Sequence, residues 1–508
     1  MKVHYPVELL PWGRKVEAEA GAALADVLFP LGVEFPCGGR GKCRGCRVKL
    51  LEGELRPTPE EERLLGSGRL AEGWRLSCRH AVTGPLRLEM AQWEASVLQD
   101  EAPFPFEPQE GLGIAVDVGT TTLAAQLIDM EKGHVLAVAT GLNPQARHGA
   151  DIMSRVEYAL QPEGAKRLTR MIREKISDML TDLIIEAHAS PERLRRIALV
   201  GNTVMHHLFG GLQLAPLARH PFVPEREETL VFSPFELRWM LPDHVSIAFL
   251  PCLGGFVGSD ILAGLLATGL HRQSGLGLLM DLGTNGEMVL GNKEGFLCAS
   301  TAAGPAFEGA RISCGMRADA GAISAVAVKN GGVECHTLGG GPPRGVCGSG
   351  LVDAVAAGLE LNWIAPSGRL TCGSLLPLAA GLGLTQQDVR ELQLAKGAIA
   401  AGIRLLLQQQ GAELSELENV WLAGAFGNYI SRASAYRIGL LPLPPEKVTP
   451  AGNTALRGAK LALFEWERVL EGYPELRRAG RHISLHECAG FEEVYGEAML
   501  FPSAGVAG

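Results

Sequence analysis

The hexapeptide Asp117-Val118-Gly119-Thr120-Thr121-Thr122 is echoed by Asp281-Leu282-Gly283-Thr284-Asn285-Gly286, and each copy sits between two short apolar runs. Residues 113–129 read as strand–turn–strand around the first copy. Residues 277–280 and 287–290 read as the same hairpin around the second. A motif repeated in equivalent hairpins implies two similar halves, each carrying an Asp and a Gly-Thr tip. Mixed α/β halves that face one another leave a cleft, and clefts are where ligands bind.

The chemistry of the two tips is legible. Glycine lets the hairpin backbone approach phosphate oxygens, and threonine and asparagine supply hydroxyl and amide donors. On this reading Gly119, Thr120, Thr121, Thr122, Gly283, Thr284 and Asn285 hold the phosphates of a nucleotide. Asp117 and Asp281 are the candidate catalytic carboxylates, holding Mg²⁺ directly or through water and offsetting the charge of phosphoryl transfer. A lone Asp-x-Gly-Thr is as easily an Asx-type turn; two in matching hairpins are a much stronger signal. No Walker A sequence is present, so this is not a P-loop ATPase. Asn202, in the break Gly201-Asn202-Thr203 after an apolar strand, is expected to line the phosphate side. Glu308 and Lys396 are polar residues beside glycine in apolar segments. Each is a candidate for ribose or adenine and equally a solvated helix residue or a local ion-pair partner. His206 and His207 are expected to pack inside a helix. The run Cys347-Gly348-Ser349-Gly350 opens a helix, either as a phosphate-binding N-terminus or as an ordinary turn.

Eleven cysteines are distributed unevenly. Cys37, Cys43 and Cys46 are tightly spaced within Gly38-Gly39-Arg40-Gly41-Lys42 and Arg44-Gly45, and Cys78 follows at a distance. This C-x5-C-x2-C…C set supplies four thiolates, two for each iron of a [2Fe–2S] centre. Its glycines suit a loop that must aim several backbone N–H groups at sulfur. A zinc site would usually pair two C-x2–4-C knuckles, and only Cys43 with Cys46 forms one here. Arg40, Lys42 and Arg44 give the loop a positive rim, suited to an acidic electron donor. The other seven cysteines form no C-x-x-C pair and read as buried small hydrophobes.

A net charge of −9 argues against nucleic-acid binding and against an anionic membrane surface. The start of the chain lacks a signal-peptide pattern, and neither charge-free stretch, 197–218 or 245–259, reads as a transmembrane helix. A cytoplasmic location is expected. At 508 residues two to four domains are expected: a small β-rich unit over 1–93, a Pro/Glu/Gly-rich linker over 94–112, and two α/β lobes over 113–270 and 271–508.

The paired hairpins resemble the phosphate loops of the acetate kinase, sugar kinase, Hsp70 and actin (ASKHA) superfamily. That resemblance makes Ala423-Gly424-Ala425-Phe426-Gly427 the adenosine motif, with Gly424 and Gly427 in the turn beneath the base. It also makes the small-residue segments near 255–260 and 452–465 the hinge helices. The cysteine pattern resembles the plant and adrenodoxin-like ferredoxins, which implies a β-grasp fold for the first unit. The two together resemble the reductive activators of corrinoid proteins, which use ATP to restore cobalt after accidental oxidation. The resemblance implies a [2Fe–2S] cluster, ATP and Mg²⁺ as cofactors. Its implied partners are the corrinoid protein of a methyltransferase system and an electron-donating reductase or ferredoxin, with a homodimer left open. Here only the 94–112 linker stands where a relative has an extra domain. Rival readings are an activator of a radical dehydratase or reductase, a small-molecule kinase with a fused redox domain, and a non-enzymatic ATP-gated redox regulator. The first of these would draw cluster ligands from Cys252, Cys298 or Cys347.

Overall fold

The computed structural model describes residues 3–10, 14–28, 41, 46–90, 104, 106–149, 151–283, 285–379 and 381–503. Cys37, Cys43, Thr284 and the basic residues Arg40, Lys42 and Arg44 lie outside them.

In the first unit, strict alternation buries Val7 and Leu9 of β1 (His4–Leu10) while Glu8 stays on the other face. β1 pairs antiparallel with β2 (Arg14–Glu19) and parallel with β5 (Leu86–Met90). With β3 (Arg47–Glu52) and β4 (Trp74–Leu76) the sheet order is β2-β1-β5-β3-β4. The helix Leu24–Leu28 covers it with Leu24 and Leu28, both fully buried. The helix Pro59–Ala71 starts from a Thr58/Glu61 capping box. The buried Glu61 carboxylate also accepts hydrogen bonds from the Leu76 amide and pairs with His80 at 2.8 Å, fixing the loop that carries Cys78.

The linker is not a free tether where it is described. Phe104 and Phe106 pack against Phe464 at centroid distances of 5.5 and 5.1 Å, and the Gln109 side chain donates to the Phe464 carbonyl at 2.8 Å.

The two larger sheets repeat one topology. β6 (Leu112–Val118), β7 (Thr122–Asp129) and β8 (His134–Leu142) form an antiparallel meander. β9 (Leu194–Val200) and β11 (Ser246–Phe249) extend it in parallel, with β10 (Leu230–Phe232) on the edge, giving the order β10-β11-β9-β6-β7-β8. β12 (Leu276–Leu282), β13 (Gly286–Asn292) and β14 (Gly295–Thr301) form the second meander. After two small sheets, β15 (Ala322–Lys329) to β17 (Gly345–Val346) with β16 (Gly332–Thr337), and the hairpin β18 (Leu375–Ala379)–β19 (Leu382–Thr385), the core resumes. β20 (Leu417–Ala423) and β21 (Val448–Gly452) extend the second meander in parallel, and β22 (Gly480–His482) closes the order β21-β20-β12-β13-β14-β22.

Residue size along the first sheet decides what covers each face. Large residues, Ile114, Val116, Ile197, Leu199, Ile247 and Phe249, point toward the long helix Gly164–Glu186. The alternate positions Ala115, Ala124, Ala198 and Ala248 face the helices Ser259–Thr268 and Thr454–Phe464. Those small residues let the two helices lie close to the sheet and to each other. Gly458 is required at their crossing, because a Cβ there would stand 2.0 Å from the Ala263 carbonyl oxygen. Each helix follows the last parallel strand of its own half, and the two pack against each other between the lobes.

Candidate functional site

Equivalent registers put the two hairpins at the same corner of each lobe. Asp117 ends β6 opposite Val200 of β9, just before Gly201-Asn202. Asp281 ends β12 opposite Ala423 of β20, just before Gly424. The repeat therefore includes these strand-to-helix turns as well as the Asp loops.

The first tip is tightly supported. Asn143 donates to the Gly119 carbonyl at 2.8 Å, and the Asn202 amide nitrogen donates to the Thr120 hydroxyl at 2.8 Å while its amide oxygen caps the helix Thr203–Gly210 by accepting from Met205 N. Arg155, fully buried, donates to the Thr120 carbonyl and, at 2.8 Å, to that of Gly149; burial pushes its guanidinium down to about 9. Gly119, Thr120, Thr121 and Thr122 remain half-exposed, with two hydroxyl groups beyond the one engaged by Asn202.

In the second tip, Gly283 donates to the Asn285 carbonyl at 2.9 Å. Gly424 has φ +84°, and a Cβ there would stand 2.5 Å from the Asp281 carboxylate. Only glycine lets that turn reach the loop. Phe426 of the same turn stacks on Phe307 at 4.5 Å, which brings the half-buried Glu308 to this side. Gly427 packs against Leu422. Lys396 goes elsewhere: its ammonium donates to the Leu500 carbonyl and lies 5.3 Å from the Phe501 ring. Burial pushes it down to about 7. There it anchors the C-terminal segment through a backbone carbonyl rather than an ion pair, and it is buried rather than solvated.

Four carboxylates converge where the lobes meet. Besides Asp117 and Asp281 they are Asp260, at the start of the helix Ser259–Thr268, and Glu287, paired with Asp281 across β12–β13. Burial lifts Asp281 to about 6. Burial, opposed by a 3.0 Å hydrogen bond from Asn453, lifts Asp117 to about 7. Burial and repulsion from Asp281 and Asp117 take Asp260 to about 8. Glu287 lies well above the carboxylate range, from burial first and then from Asp260 and Asp281. Like charges held this close favour a bound cation, and an all-oxygen donor set suits Mg²⁺. Asn453 caps the helix Thr454–Phe464 through Leu456 N at 2.8 Å. One amide therefore joins that helix to Asp117. Asp260, Glu287, Asn453 and Arg155 were not singled out as site residues from sequence. Their faint signals are an acid at the start of an apolar helix, an acid in an apolar strand, and a helix-capping Asn.

In the first unit, Cys46 is buried and Cys78 half-buried. Ser77 donates to the Cys46 carbonyl from its amide at 3.0 Å and its hydroxyl at 2.9 Å, which brings the two cysteine segments together. Gly41, described between Cys37 and Cys43, has φ +65°, and a Cβ there would stand 2.8 Å from the Arg79 side chain beside Cys78. A glycine required at this close approach, beside the fourth cysteine, fits a cluster cradle. Elsewhere, Cys252 and Cys298 are fully buried with their thiols pushed up, Cys298 to about 12. His206 and His207 pack in their helix and donate to the Glu228 and Thr203 carbonyls. Gly348 packs against the Phe307 carbonyl at the start of the helix Gly348–Glu360. Among the described residues no helix is long and apolar enough to cross a membrane.

Comparison with known proteins agrees with this arrangement. Residues 7–83 match the 2Fe-2S iron-sulfur cluster binding domain, residues 112–273 the RACo middle region, and residues 275–507 the C-terminal domain of RACo, the ASKHA domain. The corrinoid activation enzyme RamQ of Eubacterium limosum is 35% identical over 414 residues, 75% of this chain and 69% of RamQ. The [Co(II) methylated amine-specific corrinoid protein] reductase of Methanosarcina barkeri is 30% identical over 397 residues, 70% of this chain and 71% of that protein. A solved structure of a reductive activator for corrinoid, iron-sulfur protein aligns over 99% of both chains, with a TM-score of 0.68 and 26% identity. With a ferredoxin-like β-grasp unit ahead of a two-lobed ASKHA fold, and relatives matched along most of its length, this chain belongs to the family of reductive activators of corrinoid proteins.

Proposed function

We propose that the protein uses ATP hydrolysis to deliver one electron to the Co(II) corrinoid of a methyltransferase corrinoid protein, returning it to Co(I). The observation that carries the ATP-dependent part is the convergence of Asp117, Asp260, Asp281 and Glu287 between two phosphate-loop hairpins. In this proposal Asp117 and Asp281 hold Mg²⁺, directly or through water, and Asp260 and Glu287 complete its acidic surroundings. Gly119–Thr122 and Gly283–Asn285 bind the phosphates, with Asn202 and Arg155 fixing the first loop. Gly424, Gly427 and Glu308 bound the adenosine side. Cys37, Cys43, Cys46 and Cys78 are the proposed ligands of a [2Fe–2S] cluster, which supplies one-electron chemistry when bound. The basic residues among them suit an acidic reductase or ferredoxin as donor.

The energetics explain the need for ATP. Moving one electron against a gap of ~200 mV costs about 4.6 kcal/mol, at ~59 mV per tenfold change in equilibrium constant. Closure of the two lobes on nucleotide offsets that cost if the closed state prefers the reducible corrinoid. The burial of all three candidate ligands, Cys252, Cys298 and Cys347, speaks against the radical-enzyme activator, which would need cluster ligands within the ATPase.

Two variants separate the halves of the proposal. Asp117→Ala is expected to abolish ATP-driven turnover and leave the cluster absorbance intact. Cys43→Ser is expected to abolish reduction of the corrinoid and leave nucleotide binding intact. Normal reduction by Cys43→Ser would overturn the proposed ligand set.

A further inference from the structure

His220, His486 and Glu487 place three ligand atoms within 4.8 Å of one another. We propose that they form a site for a divalent transition-metal ion of the zinc type that clasps one lobe to the other. The reasoning is independent of the function proposed above.

The donor set is two imidazoles and one carboxylate. That combination suits Zn²⁺ and its first-row neighbours, whereas Mg²⁺ prefers an all-oxygen set such as the four acids of the cleft. His220 Nε2 stands 2.8 Å from a Glu487 carboxylate oxygen, and His486 Nε2 stands 3.9 Å from the same oxygen. The second ring nitrogen of His486 has its own partner, the Ser484 hydroxyl at 3.3 Å from Nδ1. A hydrogen bond at Nδ1 fixes the ring and leaves Nε2 to face the other two ligands, as outer-shell partners do for metal-bound histidines. All three ligand residues are solvent-exposed, so an ion has direct access. Three protein ligands leave a fourth position open.

The placement gives the site its consequence. His220 comes from the loop that follows the helix Thr203–Gly210 in the first lobe, whereas His486 and Glu487 follow β22 on the edge of the second-lobe sheet. They stand beside a cavity of about 700 Å³ lined from both lobes, by Phe222, Gly255 and Phe256 on one side and Ser300, His482 and His486 on the other. Neither lobe supplies the full set, so the ion binds best at the lobe separation seen here and stabilises that arrangement.

The test is calorimetric titration of the cluster-loaded, nucleotide-free full chain with Zn²⁺. The expected result is one Zn²⁺ per chain bound by wild type and lost in His220→Ala. Ser484→Ala should weaken it about 10-fold, as outer-shell losses do, and Glu487→Gln by at least as much. His220 and Glu487 are exposed and Ser484 half-buried, and an unchanged melting temperature of the metal-free chain confirms that each variant is folded. An isotherm in His220→Ala equal to wild type overturns the clasp, because a site confined to the second lobe would survive that change. Equal isotherms in all three variants overturn the site altogether.

Discussion

Asp260 shows what a single residue does in this cleft. Its pKa of about 8 stands far above the ~3.9 of an unfolded Asp. Between those values the folded chain holds a proton that the unfolded chain has lost. The group's contribution to stability is therefore complete below pH ~4 and fades as pH rises through 8. Asp260→Asn is expected to raise the melting temperature of the nucleotide-free protein at pH 8.5 by about 2 °C, the equivalent of about 1 kcal/mol, and to weaken MgADP binding. Thermal melts across pH 5–9 check it, and a lower melting point at pH 8.5 would contradict it. MgADP binding near pH 7 should also release protons, because a divalent cation drives these acids to ionise; calorimetry in buffers of different ionisation enthalpy measures this. Lys396→Met should leave MgADP affinity unchanged, since its ammonium serves the Leu500 carbonyl. At this scale sequence was an uneven guide. Asp117 and Asp281 were legible because a repeated motif surrounds them. Asp260, Glu287 and Asn453 were not, because only the crossing of distant elements brings them to the cleft.

Among the elements, the crossing helices Ser259–Thr268 and Thr454–Phe464 are the proposed hinge between lobes. Asp260 begins one helix, Asn453 caps the other, and Gly458 meets Ala263 between them. Gly458→Ala forces the pair apart and is expected to cost about 1–3 kcal/mol of stability. It should weaken MgADP binding as well, since both helix starts hold cleft residues. Chemical denaturation and calorimetry check this; unchanged nucleotide affinity would separate the hinge from the site. The two Asp-loop hairpins and the apolar strand before Gly201 were readable from period and breakers, because each is a local pattern; the parallel strands Ser246–Phe249 and Val448–Gly452 were not read as strands. The equal topology of the two larger sheets was only half visible, as residues 302–416 separate β14 from β20 in the second copy. The 94–112 segment looked like a spacer from its prolines, yet Phe104 and Phe106 find a partner in Phe464, over three hundred positions on.

In the whole molecule the ferredoxin-like unit touches both lobes. Asp26 pairs with Arg147, just beyond the Asn143 that supports the first phosphate loop, and Glu89 pairs with Arg344 of the second lobe at 3.0 Å. Solvent-accessible pairs of this kind contribute about 0–1 kcal/mol each, weak enough to exchange as the lobes move. Replacing Arg147 and Arg344 together by Ala is expected to leave MgADP affinity and cluster absorbance unchanged and to change the ratio of ATP hydrolysed to cobalt reduced. The central claim is the coupling of ATP to cobalt reduction, and its most direct test is anaerobic. Reduced protein is mixed with a panel of Co(II) corrinoid proteins, and Co(I) absorbance is followed with and without MgATP. Co(I) that forms with one of them only when MgATP is present is the predicted result. No Co(I) with any corrinoid protein, from a chain with an intact cluster and active ATPase, would contradict the account.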